Sequence, residues 1–305
     1  WFAPARIALN RGAIFIDDSK RLNAELQYNN DFGFMYLVAG VQHQRDNANS
    51  KGTYLLDNNG EGIIVNQTGF YGQLEVPFGE SGFKAVAAAR ADKHDLYGSN
   101  FIPKAALVYD SPIGALRATY AKGIAAPTIL NLEANIFGGL LLGNSQGFTV
   151  KELNRQTNQI VGQYEVAKQV VEKIQSFEVG YKGTIAGNFY LDANAYYNSS
   201  EDFLSPAINI APDRDPTFDH DNNPATPPVN RIVGYAVQRA GQPISELTTT
   251  AALPDGSRGA DLILTYVNFG KVNSYGADFG FNYYLSNNVS IVANYSYFNF
   301  SLDKS

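Results

Sequence analysis

The chain has 305 residues, a formal net charge of −6, 45% hydrophobic residues, 19 Tyr, 19 Phe and 28 Gly, with one Met and no Cys. Abundant aromatics and glycine with scarce Met favour strands and turns over helices. The missing Cys excludes a disulfide framework and a thiolate metal site, and an acidic balance without a basic cluster argues against nucleic acid as a partner.

No run of about 18 apolar residues occurs, which excludes a membrane-spanning helix but not a spanning barrel. The opening WFAPARIALN has neither an initiator Met nor the regions of a signal peptide, so it reads as a mature, trimmed or incomplete chain.

In chain order, ten segments alternate with the period of two that marks a strand with one apolar face. The first, KRLNAELQYN, puts Leu22, Ala24, Leu26 and Tyr28 on one face and Asn23, Glu25, Gln27 and Asn29 on the other. It is followed by Phe34 to Gln44, Thr68 to Phe78, Phe83 to His94, Ile102 to Asp110 and Ala115 to Lys122. Ile174 to Thr184, Phe189 to Asn198, Val272 to Leu285 and Val289 to Asn299 complete the set. Short turns, NNDFG, GESG, SPIG, IAGN and SNN, follow the odd-numbered strands, and each has the Gly, Asn, Ser or Pro that tight geometry needs. Arg45 to Gln67, Gly123 to Lys173 and Glu201 to Asp261 are long, and the connection after the fourth strand is of moderate length. In an up-and-down sheet this alternation puts tight turns on one rim and long loops on the other, as in outer-membrane barrels.

A soluble sandwich or propeller also gives alternating strands. Three features favour the barrel. The polar face carries charges of both signs, Glu25, Lys84, Arg90, Arg117, Glu178, Lys182 and Asp278. Aromatics crowd strand ends, at Tyr28, Tyr197, Tyr283, Tyr295 and Tyr297, where a headgroup belt would hold them. Loops of about fifty residues are uncommon in a compact soluble domain. The expected fold class is all-β, an antiparallel up-and-down transmembrane barrel. Tyr28, Phe70, Phe177, Phe279 and Ile291 should face lipid, and Glu25, Arg90, Glu178 and Asp278 the interior. With tight turns on the periplasmic side, both ends of the ten-strand set fall outside the cell, which predicts a barrel incomplete at both ends. Arg6 to Phe15 could supply one more strand.

Three stretches resemble successive landmarks of the TonB-dependent outer-membrane receptors: YAKGIAAPTILNLEA (Tyr120 to Ala134), VEKIQSFEVGYKG (Val171 to Gly183) and VNFGKVNSYGADFGFNYYLSNNVSIVANYSYF (Val267 to Phe298). The family's Gly-Phe-Arg-Ala-Pro run corresponds to Gly123, Ile124, Ala125, Ala126 and Pro127, without the Arg, and its Gly-Val-Glu to Gly276, Ala277 and Asp278. The resemblance implies that residues 1–305 are part of a 22-stranded barrel domain, with the plug domain and C-terminal strands absent. It implies TonB-energised uptake of a scarce nutrient at the bacterial outer membrane, a siderophore, cobalamin, glycan or peptide. The implied partners are outer-membrane lipid, the TonB complex through the plug, and a small-molecule, metal-chelate or oligosaccharide ligand. A porin-like channel and a soluble surface-binding β-protein are the alternatives.

Substrate contacts are expected on the external loops Gly123 to Glu172 and Glu201 to Asp261, which vary with the ligand in that family. The second holds nine acidic and four basic residues, a balance of −5, which would favour a cationic or metal-bearing ligand. Within it Asp219, Asp221 and Asn223 have the spacing that opens a calcium loop, with Asp213 and Asp215 nearby. Pro224 replaces the turn Gly, however, and Asn230 the twelfth-position Glu, so calcium is the single cofactor candidate and a solvated acidic loop the competing reading. Short helical turns are expected within NQIVGQYEVAKQVVEKI, where apolar residues recur at three and four. No enzyme is expected: His43, His94 and His220 lie in separate segments, and no HExxH, GxSxG or phosphate-binding Gly loop occurs.

Overall fold

A computed structural model describes residues 14–57, 60–212 and 232–303. Ten long strands form one sheet, the wall: β1 (Lys20–Asp31), β2 (Tyr36–Ala48), β3 (Ile63–Pro77), β4 (Phe83–His94), β5 (Gly98–Ser111), β6 (Gly114–Ala125), β11 (Glu172–Ile185), β12 (Phe189–Leu204), β19 (Asn268–Ser286) and β20 (Val289–Asp303). They pair antiparallel in that order. All ten expected strands are present, several extended by a few residues beyond the alternating stretch. The tight turns fall on one rim and the long connections on the other. The fourth connection is shorter than expected, three residues, Asp95 to Tyr97. Of Arg6 to Phe15, only Ile14 and Phe15 lie within the described residues, and neither is in a strand.

Register shows how alternation becomes two continuous faces, because paired residues in a sheet share a side. Tyr120 of β6 pairs with Phe177, Phe177 with Tyr197, and Tyr197 with Tyr275, an aromatic row across four strands. One pleat nearer the tight turns lies Ala118–Val179–Ala195–Ala277–Tyr297, and the next row is Leu116–Tyr181–Ala193–Phe279–Tyr295. Tyr28, Phe70, Phe177, Phe279 and Ile291 all fall on this apolar face and are about half exposed or more. Glu25, Arg90, Glu178 and Asp278 fall on the other.

The polar face is wired by ion pairs and amides. The Arg90 guanidinium donates to both Asp92 oxygens and to Gln42 Oε1, whose amide in turn donates to Asn23. Tyr71 spans two strands to donate to Glu25 and Gln27 at 2.5 and 2.9 Å. Its ring lies over Gly40, where a Cβ would overlap it. Gly276 makes the same room for Tyr196. Arg117 pairs with Glu178.

The long connections carry a second body of structure. From the 126–171 connection come α1 (Ile129–Glu133), β7 (Asn135–Ile136), β8 (Leu141–Leu142), β9 (Phe148–Asn154) and β10 (Gln159–Val166). The connection before β19 supplies β13 (Ile208–Asn209), β14 (Ile232–Arg239), β15 (Gln242–Pro243), β16 (Ala251–Ala252), β17 (Arg258–Gly259) and β18 (Leu264–Thr265). The second connection alone pairs β16 with β17, but the two larger sheets are shared. One four-stranded sheet runs β10-β9-β14-β15 and another β13-β18-β8-β7, each built from both connections. The expected helical turns in NQIVGQYEVAKQVVEKI are a correction: β10 occupies that stretch. Its register slips between Ile160 and Gly162, and this bulge breaks the period of two. Tyr164 and Val166 therefore pack on one side of the sheet while Ile160 packs on the other. The α-helical turn lies earlier, at Ile129, where Thr128 and Asn131 form a capping box.

Candidate functional site

The two connections form a cap above the loop rim, and the cap has its own core. Leu142, Phe148 and Val150 of the first pack with Ile210, Ala211, Ala236, Ile244, Ala260 and Ile263 of the second, all nearly inaccessible to water. The far side of the shared sheet packs Leu153, Val233, Tyr235 and Val237 with Leu253. Apolar burial of this kind holds the two loops together.

Polar side chains fix the seam. Arg239 is 5% exposed; its guanidinium donates to the Gly143 and Leu132 carbonyls, Ser145 Oγ and Glu133 Oε2 at 2.8–3.0 Å. A Cβ on Gly143 would overlap the Leu132 carbonyl, so glycine permits that close approach. Asn144, wholly buried, donates to the Ala167 and Tyr266 carbonyls and accepts from the Gly147 N–H. Thr265 donates to the Leu142 carbonyl.

The shorter rim connections are tied in as well. In the connection after β2, Asp57 is buried and accepts from the N–H and hydroxyl of Ser50 and the N–H of Gly52 and Gly60. Burial pushes its carboxyl upward, but those donors outweigh burial and hold it below the usual range. The same connection bridges to the cap through Leu55 and Ala134, and Leu56 N–H donates to the Glu133 carbonyl. Tyr97 donates to the Pro127 carbonyl, and burial pushes its phenol up to about 12.

Both expected substrate loops, Gly123 to Glu172 and Glu201 to Asp261, thus come together in one cap. Open grooves on it have ligand-scale dimensions. One of about 570 Å³ is lined by Tyr164, Lys168, Asp202, Asn209 and Asn268 at the junction with the wall. A second, of about 530 Å³, is lined by Thr149, Lys151, Gln163, Gln238 and Arg258 on the shared sheet. The expected acidic character of the second loop is largely neutralised where it is described. Glu201 pairs with Lys271, Asp202 with Lys173, Asp255 with Lys151 and Asp261 with Arg155. The Lys151 ammonium, followed by Ser257, holds the Asp255 carboxyl well below its usual range. Asp213, Asp215, Asp219, Asp221 and Asn223 lie outside the described residues. Among the described residues no three His, Cys, Asp or Glu side chains gather to hold a metal.

Sequence reasoning missed Arg239, Asn144 and Asp57. Nothing local marks them, since each acquires its role from partners brought by other segments.

An antiparallel up-and-down sheet with one apolar and one ion-paired face, tight turns on one rim and a folded cap on the other, has the architecture of an outer-membrane barrel protein. Residues 3–305 match the family described as TonB dependent receptor-like, beta-barrel. The chain belongs to that family of outer-membrane receptors. Solved structures agree on the fold. The siderophore receptor PirA from Pseudomonas aeruginosa is 14% identical, with a TM-score of 0.56 over 93% of this chain and 40% of its own. A mutant of the ferric enterobactin receptor PfeA from Pseudomonas aeruginosa is 12% identical, with a TM-score of 0.56 over 92% and 35%. The copper transporter OprC is 11% identical, with a TM-score of 0.54 over 94% and 38%. The chain thus spans well under half the length of these proteins. Among curated proteins, none matches.

Proposed function

We propose that this chain forms wall and external cap of an outer-membrane receptor that takes up a scarce metal or metal-chelate ligand, with energy delivered by TonB. The observation that carries the reading is the layering of the apolar face. No Lys, Arg, Asp or Glu occurs on it from the aromatic row to the tight-turn rim. From Phe177 to Ile185 that band is about 26 Å long along the strand, at ~3.3 Å per residue. With the ~40° tilt of barrel strands it is about 20 Å tall, close to the ~25 Å of outer-membrane barrels. The opposite face, carrying paired charges, suits a wet or filled interior.

Support for a metal-bearing ligand comes from the siderophore receptor, the ferric enterobactin receptor and the copper transporter that share the fold. A siderophore is the first candidate in this reading; cobalamin, glycan and peptide follow. The test is uptake of labelled ferric chelates by cells with and without the protein that carries this chain, before and after a protonophore collapses the proton gradient. Energy-dependent uptake that disappears with the protein supports the reading. Entry that persists after the gradient collapses would make the protein a passive channel, and uptake indifferent to its deletion would sink the proposed ligand class.

A further inference from the structure

The apolar face ends in charge, and does so at one rim only. Beyond the aromatic row toward the loops comes a polar row, Lys122–Gln175–Ser199–Asn273–Ser301, and then Ile124–Lys173–Glu201–Lys271–Asp303. Across the whole wall, the Lys and Arg residues on this face are Lys20, Arg45, Lys93, Lys122, Lys173 and Lys271. All six lie within three residues of their strand's end at the loop rim. The tight-turn rim has no counterpart.

Nearby acids account for two of the six. Asp202 is 3.5 Å from Lys173, and Glu201 is 3.6 Å from Lys271, which also has Asp303 as its register partner. Asp95 is turned to the Asn66 backbone and amide, and Asp18, near Lys20, is taken by Lys51. Lys20, Arg45, Lys93 and Lys122 are exposed and form no ion pair among the described residues. Four unpaired cations just above an apolar band, on the side that bears the cap, form a surface complementary to anions at the height of the headgroups.

We propose that this cationic edge binds phosphate-bearing headgroups of the outer lipid leaflet and so fixes the depth and orientation of the wall. The proposal rests on the membrane reading of the apolar face, and its occupant is a lipid surface. The electrostatic gain per cation at an anionic surface is enough for about a fivefold preference.

The protein that carries this chain is reconstituted in phosphatidylcholine vesicles with or without phosphatidate, and the association of spin-labelled phosphatidate is measured relative to spin-labelled phosphatidylcholine. The wild type should prefer phosphatidate by about fivefold or more. The combined variant Lys20→Gln, Arg45→Gln, Lys93→Gln and Lys122→Gln should insert equally well into phosphatidylcholine and show a ratio near one. For the wild type alone, raising the salt should shrink the ratio, which keeps the test valid if the variant does not fold. A wild-type ratio of one, a ratio insensitive to salt, or an unchanged ratio in a folded variant overturns the proposal. Displacement by inorganic phosphate far beyond that by chloride at equal ionic strength would mark a free-anion site and overturn the lipid assignment. Failure of the wild type to enter pure phosphatidylcholine would instead refute the membrane reading, a distinguishable result.

Discussion

Arg239 is buried with one carboxylate and three neutral acceptors around it, all from the other half of the cap. Removing one member of such a group leaves the rest desolvated without a partner, at a cost of about 3 to 5 kcal/mol. Arg239→Met should therefore make the 126–171 and 205–267 connections sensitive to protease while the wall stays folded, as judged by its heat-dependent mobility in detergent gels. Arg239→Lys should not restore protection, because an ammonium cannot reproduce the planar fork. Protection that survives Arg239→Met would show that Arg239 does not hold the seam. Asp57 acts at the same scale with a pH signature. Its folded carboxyl is held below the usual range, so its contribution is full above the unfolded value of about 3.9 and is lost as pH falls through the lower folded value. The protection of amides 49–57 against exchange, taken relative to the intrinsic rate at each pH, should fall on acidification below about pH 4 in the wild type. In Asp57→Asn that protection should be lower throughout and independent of pH over that range.

The wall strands were legible as elements because each buries nothing between neighbours except its alternation: one face apolar, one face charged. That makes a sharp prediction from register. Val179 sits mid-band between Ala118 and Ala195 on the apolar face, whereas Ser176, three residues away on the same strand, belongs to the polar face. In lipid vesicles Val179→Arg should lower unfolding free energy in urea by about 2 to 4 kcal/mol, with Ser176→Arg changing it far less. Equal effects would mean that the faces are misassigned. The cap strands were not legible. They are two to eight residues long, too short to establish a period, and β10 conceals its alternation behind a bulge. Its partner β9 also pairs with β14, some eighty residues further on, and no local pattern encodes that partner.

At the scale of the molecule, the two long connections share both four-stranded cap sheets and one apolar core, so they should move as a unit or not at all. Thr149 of β9 faces Gln238 of β14 across the seam. In a chain with no native Cys, Thr149→Cys with Gln238→Cys should oxidise to a single cross-link and leave ligand uptake within about twofold of wild type. Uptake abolished by oxidation and restored by reductant would show that the halves separate during transport. This arrangement also changes the electrostatic expectation drawn from the sequence. An acidic loop read alone promised a negative rim, but Lys271, Lys173, Lys151 and Arg155 from elsewhere in the chain meet four of its five described acids. Exposed pairs of this kind add little stability, yet they cancel the field that a ligand would sense.

Strand number, facial polarity, the alternation of tight and long connections and the family resemblance were all determined by the amino-acid sequence itself, because a side-chain period of two and turn residues such as Gly33, Gly82 and Gly187 act over a few neighbours. The tertiary structure alone decided that the two long loops are one folded cap, that Arg239 and Asn144 are its fasteners, and that the rows of the apolar face stack as apolar, aromatic, polar and charged. Those features depend on which distant residues become neighbours. Such pairing is set by the summed burial and hydrogen bonding of the whole chain and leaves no periodic trace in any one segment.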